Sequence, residues 1–195
     1  YQLIKVPDLS NEIKDLFEYL ISNHVIQNIE FECNTNCTLF PNKWLKYLDQ
    51  FKRVTIELSI DGVGEVNDYI RWGRTKWDDI LINIHRWAET DYDINIFSTV
   101  QAYNLHDMKN VKAVADSIGV KHYSSLLVVP EYLSVHVLPT EYLTLIQDDY
   151  NKKYYPSITN NGHLDKFKEF TYNIDNVTGL KLSQVIPVLH SHMEN

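Results

Sequence analysis

Short segments of alternating apolar and polar residues recur along this chain, and segments with helical spacing separate them. From 54 to 60 the apolar residues Val, Ile, Leu and Ile occupy every second position, and 29–34 shows the same alternation. Between such segments, one apolar stripe at helical spacing is formed by Trp77, Ile80, Leu81, Ile84, Trp87 and Ala88. Strands that alternate with helices over short connections predict a parallel sheet with right-handed crossovers.

The alternation within each predicted strand narrows the fold further. Central strands of an open parallel sheet are buried on both faces and read as continuous apolar runs. Here one face is polar, as in a barrel whose lumen holds a ligand. About four strands are visible, fewer than the eight of a complete barrel. We therefore predict an α/β fold with a partial (β/α) barrel of parallel strands over residues 1–150, and a helical C-terminal extension over 151–195 packed on the same domain.

The individual elements follow from spacing and punctuation. Ser10 is placed to cap a first helix, and Pro41 to open a second. Strands are predicted at 94–100 and 120–129, with a helix from Met108 to Ile118 that Gly119 ends. The apolar face of the first two helices is predicted to consist of Ile13, Leu16, Phe17 and Leu20, then Trp44, Leu45 and Leu48.

Composition excludes several classes of partner. The 195 residues carry a formal net charge of −8, which gives no broad attraction for nucleic acid or an anionic membrane. No run approaches the roughly 18 apolar residues of a membrane span. With two cysteines and no signal peptide, the expected location is the cytoplasm.

The two cysteines form C-x-x-x-C at Cys33 and Cys37, and Phe40 stands where a third would complete C-x-x-x-C-x-x-C. Two thiolates cannot fill a site that normally takes three or four ligands. We expect no metal site here, with Cys33 a small buried residue and Cys37 in the loop after the strand.

The segment SIDGVGEVNDYIRWG, from Ser59 to Gly73, resembles the S-x-D-G motif after the fourth strand of radical S-adenosylmethionine (radical SAM) domains, especially the SPASM and twitch subgroup. NTNCT, from Asn34 to Thr38, resembles the T-N-G-T stretch of the same family, with Cys37 where glycine is usual. Looser matches are STVQAYN, LLVVPEYLSVHVLP and NVTGLKLSQVIP. The resemblance implies S-adenosylmethionine as a cofactor, and a 4Fe-4S cluster if an upstream segment supplies the cysteines.

Residue chemistry points to the same place. Ser59 and Asp61 share one strand face, where a hydroxyl beside a carboxylate suits a ribose diol, and Gly62 and Gly64 allow the backbone to approach a ligand. The alternative is that Asp-Gly is only a turn. The resemblance places the nucleoside near the candidate cofactor-binding residues Asn34, Asn36, Ser59, Asp61, Gly62, Arg71, Thr99 and Gln101.

Two sets of charged residues each allow both a ligand-binding role and a structural role. Arg71 has a fork suited to the methionine carboxylate, but is as often a salt-bridged residue. Glu30, Glu32 and Glu57 are candidates for binding substrate in the lumen, against the alternative of partly solvated carboxylates.

The family's three cluster cysteines and its G-G-E-P motif do not occur in these residues, and the chain begins at Tyr1 rather than methionine. We expect no catalytic residue and no reductive cleavage by this chain alone. The first hypothesis is the S-adenosylmethionine- and substrate-binding half of a radical SAM enzyme, with a nucleoside and a peptide or protein as partners. The second is a cluster-free nucleoside- or protein-binding module. The third is an unrelated hydrolase or isomerase that uses Glu30, Glu32, Glu57 and Asp61.

Overall fold

A computed structural model describes residues 11–160 and 162–194. Four strands and nine α-helices are formed within this part of the chain. In chain order they are α1 (Asn11–Ser22), β1 (Glu30–Thr35), α2 (Leu45–Leu48), β2 (Arg53–Ser59), α3 (Glu65–Arg71), α4 (Trp77–Ala88), β3 (Asp93–Val100), α5 (Met108–Ser117), β4 (Lys121–Leu126), α6 (Thr140–Ile146), α7 (Leu164–Thr178), α8 (Leu182–Val185) and α9 (Pro187–Glu194). Short 3₁₀ helices lie at Ile26–Asn28, Leu105–Asp107, Glu131–Leu133, Val135–Val137 and Asn151–Ser157.

The four strands form one sheet in the order β1-β2-β3-β4. β1 and β2 run parallel, with Asn34 opposite Glu57, and β2 and β3 run parallel, with Ser59 opposite Phe97. Since helices separate the strands in the chain, the predicted α/β class with parallel strands is confirmed.

By internal contacts the chain divides into two compact units. Residues 11–59, Asp78–Phe97 and Ala115–His122 belong to the first unit; Ile60–Trp77, Ser98–Val114, 123–160 and 162–194 belong to the second.

An aromatic cluster anchors α1 in the first unit. Phe17 and Tyr47 are buried, and Phe31, Trp44 and Phe51 pack against them. The prediction that Leu16 shares this face was wrong: Leu16 is 51% exposed, because the face of α1 that packs carries Ile13, Phe17 and Ile21.

The core of the second unit is built around α7. Phe167 of α7 is buried and its ring lies 4.9 Å from the ring of Tyr103, which contacts Tyr69 of α3 at 5.3 Å. Tyr69 also donates a hydrogen bond from its hydroxyl to Asp175 Oδ1 at 2.8 Å. These contacts fix α3, the helix that follows the S-x-D-G motif, within this unit.

Some of the other predicted elements agree with the structure, and others differ in length. Of the predicted stripe of α4, Trp77, Ile80, Ile84 and Trp87 are buried, and Leu81 and Ala88 are half-buried. The fourth strand ends at Leu126 rather than at 129, and Val128 and Val129 are about three-quarters exposed. The helix predicted to open at Pro41 is only the single turn of α2, and Ser10 lies outside the described residues.

No helix among the described residues is both long and apolar enough to cross a membrane.

Candidate functional site

The turn that follows β2 brings the S-x-D-G motif to the C-terminal end of the strand. A Cβ atom at Gly62 would lie 2.8 Å from Val66 Cγ1 and 3.0 Å from the backbone nitrogen of Asn67, so a side chain does not fit there. Gly64 has φ of 59° and precedes α3, a conformation that favours glycine. The two glycines therefore let β2 pass directly into α3.

Asp61 is the centre of the hydrogen bonds in this turn. Its Oδ1 accepts a bond from the Thr99 backbone N–H at 2.8 Å, and its Oδ2 accepts one from the Arg71 guanidinium at 2.6 Å. The Asp61 side chain is 11% exposed, and the Arg71 side chain is 29% exposed. Both carboxylate oxygens are thus engaged within the protein, and the salt-bridge alternative describes what Arg71 does in the structure.

Asn104 links the same turn to the end of β3. Its Nδ2 donates to the backbone oxygens of Asp61 at 2.7 Å and Thr99 at 2.9 Å, and its Oδ1 accepts from the Gln101 N–H at 2.7 Å. Asn104 is fully buried, and both its Nδ2 and its Oδ1 are hydrogen-bonded. We call Ile60–Gly64 together with Thr99, Gln101 and Asn104 the strand-end turn.

A second carboxylate supports the turn from the start of α5. Asp107 Oδ2 accepts a bond from the Val63 N–H at 2.6 Å, and its Oδ1 accepts one from Asn110 Nδ2 at 2.6 Å. Burial raises the pKa of the Asp107 carboxyl, against the lowering effect of these two hydrogen bonds. The position of Val63 is therefore set by a buried acid.

Several polar groups of this region have no hydrogen-bond partner among the described residues. Both atoms of the Asn67 amide and Nε of Arg71 are buried and unpaired. Among the described residues, neither the Thr99 hydroxyl nor the Gln101 amide has a hydrogen-bond partner, although Gln101 is only 9% exposed. The Thr99 hydroxyl and the Gln101 amide therefore retain the capacity to bind a polar ligand.

The candidate residues of the first unit lie at the ends of their own strands. Ser59 closes β2 and is half-buried, with no hydrogen-bond partner for its hydroxyl in the described chain. Asn34 is half-buried on β1 opposite Glu57. Asn36 lies just after β1, where its Oδ1 accepts bonds from the Thr38 N–H at 3.2 Å and hydroxyl at 2.9 Å.

The three glutamates of the first unit differ in their surroundings. Glu30 forms an exposed ion pair with Lys52 at 2.7 Å, and this lysine lowers the pKa of Glu30. Glu57 is half-buried without an ion-pair partner in the described chain, and its pKa is raised by burial and by the nearby charge of Glu32. Glu32 and Glu57 thus form an acidic polar face, while Glu30 belongs to a surface pair.

The loop after β1 contains a non-glycine residue in the left-handed region. Cys37 has φ of 58°, in the left-handed region where glycine is favoured, and it occupies the position where the T-N-G-T stretch usually has glycine. Its N–H donates to Thr35 Oγ1 at 3.2 Å, and its carbonyl oxygen accepts a bond from Asn83 Nδ2 at 2.9 Å. The backbone at Cys37 is therefore held in the left-handed region by hydrogen bonds on both sides.

An iron–sulfur cluster does not fit the described residues. Cys33 and Cys37 are both buried, and burial raises the pKa of the Cys33 thiol to about 12, whereas cluster ligands are thiolates. Within the described ranges no group of three or more His, Cys, Asp or Glu side chains is placed to hold a metal ion.

Sequence reasoning missed the residues that organise the strand-end turn. Asn104 and Asp107 follow β3 in the order Gln-Ala-Tyr-Asn-Leu-His-Asp. The residues of the turn that they bond, Asp61 and Val63, lie more than forty residues upstream. The sequence signal that could have identified them is an Asn and an Asp shortly after a predicted strand. Asn67 carried no signal beyond its place in the helix after the glycines.

Comparisons with known proteins were sparse. No family model matches the chain, and no curated protein matches it. One solved structure, described as native anSMEcpe with bound AdoMet and Cp18Cys peptide, aligns at 16% identity with a TM-score of 0.49. The alignment covers 88% of this chain and 45% of that one, so this chain spans under half of its length. A likeness of this strength decides nothing about function.

Proposed function

We propose that this chain is the S-adenosylmethionine- and substrate-binding half of a radical SAM enzyme. The observation that carries the proposal is the S-x-D-G segment: it forms a turn at the C-terminal end of a parallel strand, with a glycine where no side chain fits. Ligands of parallel α/β folds bind at this end of the strands. The left-handed Cys37, at a position where the family usually has glycine, supports the same resemblance.

The nucleoside has suitable partners within the second unit. The Gln101 amide and the Thr99 hydroxyl have no hydrogen-bond partner among the described residues, and the Thr99 backbone N–H bonds Asp61. In this proposal Asp61 acts chiefly by fixing Arg71 and the Thr99 backbone, while Gln101 and Thr99 contact the nucleoside. Asn34, Asn36 and Ser59, which belong to the first unit, stay predictions from the sequence resemblance alone.

S-adenosylmethionine supplies, in radical SAM enzymes, the radical that abstracts hydrogen from a substrate. The cluster that delivers the electron would have to come from a segment with C-x-x-x-C-x-x-C spacing outside these residues. Glu32 and Glu57 would then face substrate as carboxylates, which suits a cationic or amide-rich molecule such as a peptide.

Calorimetry with S-adenosylmethionine tests the proposal. Binding is expected to be weak, because the described residues offer no cluster iron to hold the methionine end. Gln101→Leu should weaken binding by about 1–2 kcal/mol, the usual loss for a hydrogen bond to a polar ligand. Gln184→Leu, at an exposed position of α8, is the matched control and should bind like the wild type. Equal affinity of both variants would refute the assigned site.

A second candidate is a cluster-free nucleoside-binding module. It is favoured by the burial of both cysteines and by the raised pKa of the Cys33 thiol, which does not suit a cluster ligand. Under either candidate, anaerobic reconstitution of this chain with iron and sulfide should leave it colourless. A stoichiometric brown chromophore that Cys33→Ala removes would contradict both. Adenosine and S-adenosylmethionine then separate the candidates, since the module should bind adenosine at least as well.

A further inference from the structure

A groove in the first unit is lined by three lysines and two aromatic residues. It has a volume of about 390 Å³, within the range of about 300–1,000 Å³ typical of small-molecule sites. It does not involve the residues of the strand-end turn. Its lining residues, which define the lysine groove, are Lys14, Asn42, Lys43, Trp44, Lys46 and Tyr47.

The charge of the lysine groove is only partly compensated, by Glu18. Lys14 forms an ion pair with Glu18 at 3.3 Å, and Tyr47 also donates its hydroxyl to Glu18 at 2.9 Å. These contacts lower the pKa of Glu18 and keep it charged, so Lys14 is neutralised. Lys46 also lies close enough to Glu18 to help lower the pKa of that carboxyl group, whereas Lys43 forms no ion pair with a carboxylate of residues 11–160 and 162–194. A groove whose described lining has three lysines and no carboxylate, on a chain with net charge −8, favours an anion.

The aromatic wall of the groove is fixed from behind. The Trp44 ring lies 5.5 Å from the ring of Tyr47 and 6.3 Å from that of Phe17, which is buried. Lys46 Nζ lies 4.7 Å from the centre of the Tyr47 ring. A rigid, half-buried indole beside cations offers a flat surface for an apolar ring at little entropic cost.

Asn42 adds a neutral donor to the same groove. Its Oδ1 accepts a bond from Arg86 at 2.6 Å, and the guanidinium of Arg86 lies 4.0 Å from the centre of the Phe40 ring. The amide of Asn42 is thereby oriented, and its Nδ2 remains as a hydrogen-bond donor. Donors and cations dominate the polar part of the groove.

We propose that the lysine groove binds a small organic anion, whose flat apolar body packs against Trp44 and whose phosphate or carboxylate pairs with Lys43 and Lys46. The lysines attract the anionic group, and the aromatic wall provides contact area for the flat apolar part of the ligand. An uncharged ring would gain only the second contact, and a bare inorganic anion only the first.

Calorimetry of the whole chain with four probes tests this. 1-Naphthyl phosphate and 1-naphthoate carry the ring and an anion, 1-naphthol carries the ring alone, and inorganic phosphate carries the charge alone. Both ring anions should bind at least tenfold more tightly than 1-naphthol and than inorganic phosphate. Which of the two binds more tightly assigns the anionic group as phosphate or carboxylate.

Variants give the matched control. The double substitution Lys43→Gln and Lys46→Gln should weaken binding of the ring anions by tenfold or more, since charged hydrogen bonds are lost. Lys121→Gln, an exposed lysine of the same unit outside the groove, should have no effect. The proposal is overturned if 1-naphthol binds as well as 1-naphthyl phosphate, if the double variant binds like the wild type, or if Lys121→Gln weakens binding equally.

Discussion

Asp61 and Glu57 are close neighbours in the chain, yet their carboxylates have opposite surroundings. In the strand-end turn, Asp61 accepts hydrogen bonds on both oxygens and is nearly buried. On the polar face of the first unit, Glu57 has no ion-pair partner in the described chain, and burial and Glu32 raise its pKa. The motif residue that sequence singles out is thus held by the fold, while the less conspicuous one is available to a ligand.

The difference separates two ways in which a strand end can serve a site. A carboxylate with all its partners inside the protein contributes rigidity and sets the backbone that a ligand meets. A carboxylate with a raised pKa and no partner contributes binding capacity at a cost in stability. Substitutions at the two places should therefore have different effects on unfolding.

The largest effect is expected for Asp61→Ala. The change leaves the Arg71 cation and the Thr99 N–H without their partner, so the free energy of unfolding should fall by about 3 kcal/mol. Urea denaturation measures this loss. Asp61→Asn should cost less, since the amide oxygen still accepts one bond. A loss under about 0.5 kcal/mol for Asp61→Ala would show that the strand-end turn does not depend on this carboxylate.

Asn104→Ala should follow, with a loss of about 2 kcal/mol, because the Gln101 N–H and two backbone oxygens lose a buried partner. Asn176→Ala, at an exposed position of α7, is the control and should change stability little. If the two variants unfold at the same urea concentration, Asn104 does not tie the end of β3 to the turn.

Gly62→Ala should destabilise the chain by about 1–2 kcal/mol, because its Cβ would lie 2.8 Å from Val66 Cγ1. Gly73→Ala is the matched substitution, since its Cβ would have no neighbour closer than 3.5 Å and its φ is not positive. Thermal unfolding of the pair measures the difference. Equal melting temperatures would mean that the close approach of Gly62 to α3 is not needed.

The smallest effect is expected for Glu57→Gln, and it should depend on pH. Because the pKa of Glu57 is raised in the folded state, the folded state binds this proton more tightly, and stability is lost as pH rises through that pKa. At pH 7 the variant should be more stable than wild type by a few tenths of a kcal/mol, and at pH 4 the difference should vanish.

Glu30→Gln serves as the opposite case. Lys52 lowers the pKa of Glu30, so this carboxylate contributes stability above its unfolded pKa that is lost as pH falls. The variant should be slightly less stable than wild type at pH 7 and equal to it at low pH. A matching pH dependence for the two variants would remove the contrast between the paired and the unpaired carboxylate.

Local patterns predicted the parts of the molecule that local physics determines. The apolar stripe of α4 and the alternation in β2 gave correct helix and strand positions, because burial follows those periods directly. Leu16 was assigned to the wrong face, since three apolar positions on α1 sufficed for packing. The end of β2 near Ser59 was predicted correctly. The hydrogen bonds of Asp61 to Thr99 and Arg71 were not predicted, because no periodicity encodes them.

The same limit explains why the lysine groove was missed. Lys14 is distant in sequence from Lys43 and Lys46, and only the aromatic cluster around Phe17 brings them to one surface. A net charge of −8 gave no reason to look for a cationic groove.

The central claim is that the strand-end turn of the second unit binds S-adenosylmethionine, and amide NMR of the isotope-labelled chain tests it most directly. On titration with S-adenosylmethionine, the account predicts shifts of the Gly62, Gly64, Thr99 and Gln101 amides, with Gly119 and Gly179 unchanged as glycines of helix ends elsewhere. Spectra in which the strand-end amides stay fixed at saturating ligand, or in which only amides outside this turn move, would contradict it.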